Sequence, residues 1–285
     1  MNETEFVAAL RKLPLHPGAR GLEDDCALLT VGGETLIITH DMMAEDTHFH
    51  RHADMADVAW KLLAANLSDL AAKGAEPVGV LLGYSLGSND ARFLAGLDEA
   101  LRNYGVALMG GDSVATTGTS TYGMTAIGRA RHVPVPSRMG AQPGDAICVT
   151  GPVGRALLGY EGDPEHLAAF NRPVPRLAEG MALAPLVSAM MDISDGLLLD
   201  CWRMAWVSGV TLAIDSAAVP VASRARVQEC LRWGDDYELL FTIPEHAALP
   251  VPATRIGTVR QREHAPLWLD HIPLPDPANL GYRHG

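Results

Sequence analysis

Aspartates stand where apolar segments end, and they do so along the whole chain. Leu36-Ile37-Ile38-Thr39-His40 runs into Asp41, a helical period through Val58, Leu62 and Ala65 reaches Asp69, and Met190-Met191 runs into Asp192, with Asp195 close behind. Asp24, Asp25 and Asp112 stand at similar junctions. Aspartate is a poor strand and helix former and is common at caps and turns, so each one singly reads as a cap or turn residue. As a group that follows apolar strands they constrain the chain more tightly, because sites gather at strand ends in open sheets.

The surrounding pattern mixes helices and strands in both halves, which places the chain in the α/β or α+β class. Helices are predicted over residues 5–13, 57–73, 90–104 and 196–208, with Gly74, Gly105 and Gly209 as stops and Ser194 as the cap of the last. Strands are predicted over 36–41, 78–86, 120–130, 145–150, 190–192, 210–214 and 237–243. The tail from Pro244 is Pro-rich and weakly patterned, and no internal repeat is evident. At 285 residues the chain exceeds one usual core, so two domains of roughly 100–150 residues are expected. The aperiodic, Pro- and Gly-rich stretch 134–144 divides them into 1–135 and 136–285.

Composition narrows the function. Apolar residues make up 48% and charged residues 20%, a folded rather than disordered balance. Acidic side chains outnumber basic ones 34 to 22, for a net charge of −12, and Lys12, Lys61 and Lys73 are the only lysines. No basic stripe for nucleic acid is visible. No apolar run approaches the ~20 residues of a membrane helix, and Met1-Asn2-Glu3-Thr4-Glu5 lacks the marks of a leader. Cys26, Cys148, Cys201 and Cys230 lie far apart without a C-x-x-C pair, so buried free thiols in a reducing cytoplasm are expected rather than zinc.

Converging carboxylates raise one another's pKa or demand a cation. Carboxylate ligands without cysteine or clustered histidine suit Mg²⁺, which commonly bridges phosphate oxygens. No G-x-x-x-x-G-K-S/T loop and no protein-kinase motif set is present. Gly110-Gly111-Asp112-Ser113 reads either as a tight turn or as a close approach to phosphate. Thr150-Gly151-Pro152-Val153-Gly154-Arg155 could likewise cradle phosphate at a helix start. Asn66, one helical turn before Asp69, reads as an orienting residue or an ordinary core hydrogen bond.

An ordered series of segments resembles a known family: Leu22-Glu23-Asp24-Asp25-Cys26-Ala27-Leu28-Leu29, Thr39-His40-Asp41, His48-Phe49, Asn66-Leu67-Ser68-Asp69-Leu70-Ala71-Ala72, Gly110-Gly111-Asp112, Asp192-Ile193-Ser194-Asp195-Gly196-Leu197 and Gly234-Asp235-Asp236-Tyr237-Glu238-Leu239. It is similar to the thiamine-monophosphate kinases of the aminoimidazole-ribonucleotide synthetase superfamily, over roughly residues 20–245. The resemblance implies two α/β domains, with N-terminal mixed sheets of two subunits closing a barrel in a homodimer. It implies ATP-dependent phosphorylation of thiamine monophosphate to thiamine diphosphate, assisted by several Mg²⁺ ions.

Position by position, the resemblance makes Asp25, Thr39, Asp41, Asp69, Asp112, Asp192 and Asp195 the magnesium set, with Asp41, Asp69, Asp112 and Asp195 at the chemistry. Gly111, Asp112, Arg138 and Ser194 match nucleotide contacts, and His48 and Asp235 match thiamine-phosphate contacts. The family often has Glu where Asp235 stands and an aromatic residue near the C-terminus, where this chain offers Tyr282. Aminoimidazole ribonucleotide synthesis and a silent nucleotide- or thiamine-phosphate-binding module are the alternatives. Selenophosphate synthesis would need a Cys–Lys pair near the N-terminus, and the hydrogenase-maturation relative a C-terminal cysteine in place of Tyr282-Arg283-His284-Gly285.

Overall fold

A computed structural model describes residues 3–115 and 117–283. The leader and tail expectations rest in part on Met1, Asn2, His284 and Gly285, which lie outside the described residues. The N-terminal half holds α1 (Glu3–Leu10), β1 (Ala27–Val31), β2 (Glu34–Ala44), α2 (Met55–Ala72), β3 (Ala75–Leu86), α3 (Asp90–Tyr104), β4 (Ala107–Ala115) and β5 (Thr121–Ala130). Its five strands form one open sheet in the order β1-β2-β5-β3-β4. Only the β3–β4 pair is parallel, joined through α3, and the other neighbours run antiparallel.

The C-terminal half holds β6 (Asp145–Val149), α4 (Arg155–Tyr160), α5 (Leu167–Asn171), α6 (Leu177–Leu183), β7 (Ala189–Asp192), α7 (Leu197–Ser208), β8 (Thr211–Ile214), β9 (Leu239–Pro244), β10 (Thr254–Arg260), β11 (Leu267–Leu269) and β12 (Ile272–Leu274). Its seven strands are ordered β12-β11-β8-β10-β6-β9-β7. The class is mixed α/β, as the pattern of elements requires.

α2 explains how the two sheets come to share a site. The Asp54 carboxylate accepts the Ala56 N–H at 2.9 Å and starts the helix, and Gly74, at φ +59°, closes it in the left-handed conformation that glycine favours. Its sequence is apolar on nearly every side, so it is buried rather than laid on a surface. Val58, Leu62, Leu63, Leu67 and Leu70 pack into the core under the first sheet. Ala71 and Ala72 pack with Cys148, Met190 and Phe241 of the second. The polar residues Asn66, Ser68 and Asp69 are thereby carried into the junction, all buried.

Several expectations are corrected. Gly110-Gly111-Asp112 is not a turn: it lies within β4, a strand exposed along its whole length. A Cβ on Gly111 would sit 1.9 Å from the Leu82 carbonyl oxygen, so this glycine serves the close approach of β4 to β3. Ser194 does not cap α7, whose N-cap is Gly196 without a side-chain bond. The weakly patterned tail contains β10, β11 and β12, which complete the second sheet. All four cysteines are free and buried. No helix among the described residues is long and apolar enough to cross a membrane.

Candidate active site

A cavity of about 1320 Å³ opens where the two sheets meet, larger than the roughly 300–1,000 Å³ of a usual small-ligand pocket. Asp25, Asp41, Asp69, Asp192, Ser194 and Asp195 line it, and so do His48, Asp235 and Tyr282. Asp25, Asp41, Asp69, Asp192 and Asp195, scattered in sequence, therefore converge, whereas Asp112 does not join them. The cavity can receive ligands against an acidic side and against a second side built by the residues around His48 and Asp235.

The acidic side is crowded. Carboxylate oxygens of Asp25, Asp69 and Asp192 lie within 4.8 Å of one another. The Thr39 hydroxyl donates to Asp69, and the Ser68 hydroxyl donates to Asp192 Oδ2 at 2.6 Å. Asn66 accepts the Asp41 N–H at 3.2 Å and donates to the Leu62 carbonyl at 2.9 Å, so it ties α2 to β2 at Asp41, which lies inside β2 rather than at its expected end because the strand runs on to Ala44. Burial, with Asp195 nearby, pushes the Asp41 carboxyl up to about 6. Burial and the charges of Asp41 and Asp192 raise Asp69 well above the ordinary carboxylate range. Burial pushes Asp192 up to about 7, against the pull of the Ser68 hydroxyl. Carboxylates gathered this tightly hold excess negative charge that a hard cation relieves, and their all-oxygen donors suit Mg²⁺.

Three cations frame this cluster; Arg138 was among the expected site residues, while Lys73 and Arg203 were not. Lys73 is wholly buried and reaches Asp24 at 2.6 Å and Asp25 at 3.1 Å. Burial opposes its charge, but Asp24 and the neighbouring acidic groups outweigh that and hold its pKa above the usual lysine value. Arg138 pairs with Asp25, while its buried Nε has no hydrogen-bond partner among the described residues. That orphan donor fits a missing anionic acceptor. Arg203 pairs with Asp195 and Asp200, and Asp200 accepts the Asp195 N–H at 3.2 Å. The sequence signal was present for the lysines: a lysine within a helix apolar on all sides, as Lys61 is, or capping its end, as Lys73 does, has to find a buried partner.

The second side is aromatic and polar. His48 Nδ1 accepts the Ala44 N–H at 3.1 Å. Asp235, at φ +63°, receives the Tyr237 hydroxyl at 3.0 Å and the Lys61 ammonium at 2.7 Å. Tyr160, Phe170 and Trp233 also line the cavity, with Tyr160 ring centroids 5.4 Å from Phe170 and 4.9 Å from Trp233. Tyr282 is tied down by its N–H to the Asp195 carbonyl at 2.9 Å. His50 and His52 are exposed, and His50 stacks on Tyr160.

Other candidates stand apart. Gly111 and Asp112 are not among the cavity-lining residues; Asp112 accepts its neighbour's Ser113 N–H at 2.9 Å. The Gly151–Gly154 turn does start a helix, but its anion site is already filled from within. The buried Asp236 carboxylate accepts the Gly154 N–H at 2.6 Å and the Ala156 N–H at 3.3 Å. A phosphate cradle at this turn is thereby overturned.

A mixed-sheet N-terminal unit carrying an acid-lined cavity defines a chain of the aminoimidazole-ribonucleotide synthetase-like class. Residues 23–130 match the family described as "AIR synthase related protein, N-terminal domain". The thiamine-monophosphate kinase of Methanospirillum hungatei is 36% identical over 276 residues, covering 94% of each chain. A solved thiamine-monophosphate kinase from Stenotrophomonas maltophilia has a TM-score of 0.78 at 31% identity, covering 95% of this chain and 96% of its own. A structure described as "AaThiL complexed with AMPPCP and TMP" superposes with a TM-score of 0.90 at 25% identity, covering 100% and 97%. This chain belongs to the thiamine-monophosphate kinase family.

Proposed function

We propose that the chain transfers a phosphoryl group from ATP to thiamine monophosphate, forming thiamine diphosphate and ADP. The observation that carries this reading is one cavity lined both by a carboxylate cluster and by His48, Asp235 and aromatic rings. The complex with AMPPCP and TMP, which shares this fold, supports it. The acceptor is a phosphate monoester whose second pKa is about 6, so it is already a dianion near neutrality and needs no general base. The obstacle is repulsion between two anions, and phosphoryl transfer depends chiefly on positioning and charge neutralisation.

Asp25, Asp69 and Asp192 are proposed to hold Mg²⁺, with Thr39, Asp41, Asp195 and, from β4, Asp112 completing the set. When bound, the metal would offset the negative charge of the phosphates. Thr39 and Ser68 fix ligand oxygens, Asn66 fixes the β2 backbone at Asp41, and Arg203 holds Asp195 in place. Arg138, whose buried Nε lacks a partner among the described residues, and Ser194, which lines the cavity, are assigned to the nucleotide phosphates. His48 and Asp235 are assigned to the thiamine ester. Gly111 and Asp112 are assigned to the nucleotide from β4, whose open edge is where a second copy of the sheet would pair to close a barrel. The same reading includes a homodimer, a cytoplasmic location and a division of the chain at 135/136.

A coupled ADP-release assay with ATP, Mg²⁺ and thiamine monophosphate tests the proposal, with thiamine diphosphate as the expected product. Turnover of an aminoimidazole precursor instead would select the sister reaction. Nucleotide binding without turnover of any acceptor would select a silent module.

A further inference from the structure

Lys61 lies behind the second wall of the cavity and does not line it. Its side chain is 3% exposed. From α2 its ammonium makes three contacts, each to a different segment that does line the cavity. It donates to Asp235 Oδ2 at 2.7 Å and to the His48 carbonyl at 3.0 Å, and it sits 3.7 Å from the centre of the Phe170 ring. These segments are the loop between β2 and α2, helix α5, and the loop before β9. One buried charge therefore gathers three stretches of chain that are far apart in sequence.

We infer that Lys61 is a positioning residue that sets the specificity of the acceptor pocket by fixing Asp235, His48 and Phe170 relative to one another. The inference rests on the kinase reading above and adds a residue that the family motifs did not select. Both Asp235 oxygens are fastened from inside the protein, Oδ2 by Lys61 and Oδ1 by the Tyr237 hydroxyl. An ionised carboxylate has about four acceptor sites, so unused lone pairs still face the cavity, now in a set direction. The positive φ at Asp235 is uncommon outside glycine, though aspartate adopts it more readily than most residues, and the Lys61 contact helps hold the side chain that this backbone presents. A lysine in a dry environment is replaced at a cost unless its partner is neutralised too. Lys61 does not touch the Asp25, Asp69 and Asp192 cluster, so its effect belongs to the acceptor and not to the nucleotide.

The test is steady-state kinetics on Lys61→Met, Asp235→Asn and the double variant, with melting curves and direct calorimetric binding of thiamine monophosphate for each. Expected for Lys61→Met is a rise in KM for thiamine monophosphate of about 10-fold or more, with kcat within about 3-fold and KM for ATP unchanged, the signature of lost uniform binding. The double variant, which leaves no unpaired charge, should melt near the wild type and bind the ester no worse than Asp235→Asn alone, because residues acting as one unit are not additive. Penalties that add in the double variant, or a fall in kcat with KM unchanged, would overturn the inference while leaving the kinase reading intact. Wild-type protein that neither binds nor turns over thiamine monophosphate would overturn both.

Discussion

The Ser68 hydroxyl donates to Asp192 Oδ2 at 2.6 Å across 124 residues of sequence, tying α2 of the first half to β7 of the second inside the acidic cluster. Both side chains are buried. Ser68→Ala removes the donor and leaves a buried carboxylate oxygen without it, a defect worth about 1–3 kcal/mol. Urea unfolding should show that loss, and isothermal titration should show weaker Mg²⁺ binding. An unchanged midpoint together with unchanged metal affinity would mean that this bond only decorates the junction.

Asp41, Asp69 and Asp192 all have carboxyls raised by burial and like charge, to about 6 for Asp41 and about 7 for Asp192. An unfolded aspartate titrates near 3.9. Between that value and about 7, the folded protein binds more protons than the unfolded chain, so these groups make stability fall as pH rises. The penalty of Asp41 and Asp192 becomes complete only once the pH is well above their folded values of about 6 and about 7. In chelator, the wild type should lose melting temperature between pH 5 and 8, and Asp192→Asn should lose less. Mg²⁺ should restore most at pH 8 and least at pH 5. Equal slopes for the two proteins in chelator would remove Asp192 from the effect.

What could be read in the sequence follows from locality. The limits of α3 fall where the period and Gly105 put them, and Asp192 does end its strand, whereas β2 runs three residues past Asp41 and α2 three past Asp69 because tertiary packing overrides the preference of a single aspartate. β4 was not legible, since two consecutive glycines look like a turn until β3 is there to pack on them. β10, β11 and β12 were not legible either, because short strands between prolines show no alternation. The partners of Lys61 and Lys73 lie 174 and 49 residues away, and no local pattern reports a pairing at that range. The Gly151–Gly154 turn looked open to phosphate for the same reason: Asp236, which fills it, is 82 residues distant from Gly154.

Lys73→Met should destabilise the protein more than any change at an exposed charge. The ammonium is fully buried against Asp24, whose own pKa burial would raise but whose contact with Lys73 holds it well below the usual range. Breaking such a pair from one side costs about 3–5 kcal/mol, because the surviving charge stays buried. Asp24 keeps Arg20 as a partner, which tempers the loss. Lys73→Met combined with Asp24→Asn should recover much of it. Equilibrium denaturation of the three variants checks this; a double variant as unstable as Lys73→Met would show that Asp24 is not the main partner.

Asp69→Asn should separate function from stability. The change keeps the shape of the side chain and an oxygen that can accept the Thr39 hydroxyl, a bond present in the wild type. It removes one of the charges that crowd Asp41 and Asp192. In chelator the variant should therefore melt at the same temperature as the wild type or higher, since the lost carboxylate was opposed by its neighbours. Phosphoryl transfer should fall by about 100-fold or more, a usual size for losing one electrostatic contact to the reacting groups, and the Asp25, Asp69 and Asp192 set should bind Mg²⁺ less well. A protein that melts lower and retains its rate at saturating Mg²⁺ would place Asp69 in the scaffold and leave the acidic side of the cavity without its central residue.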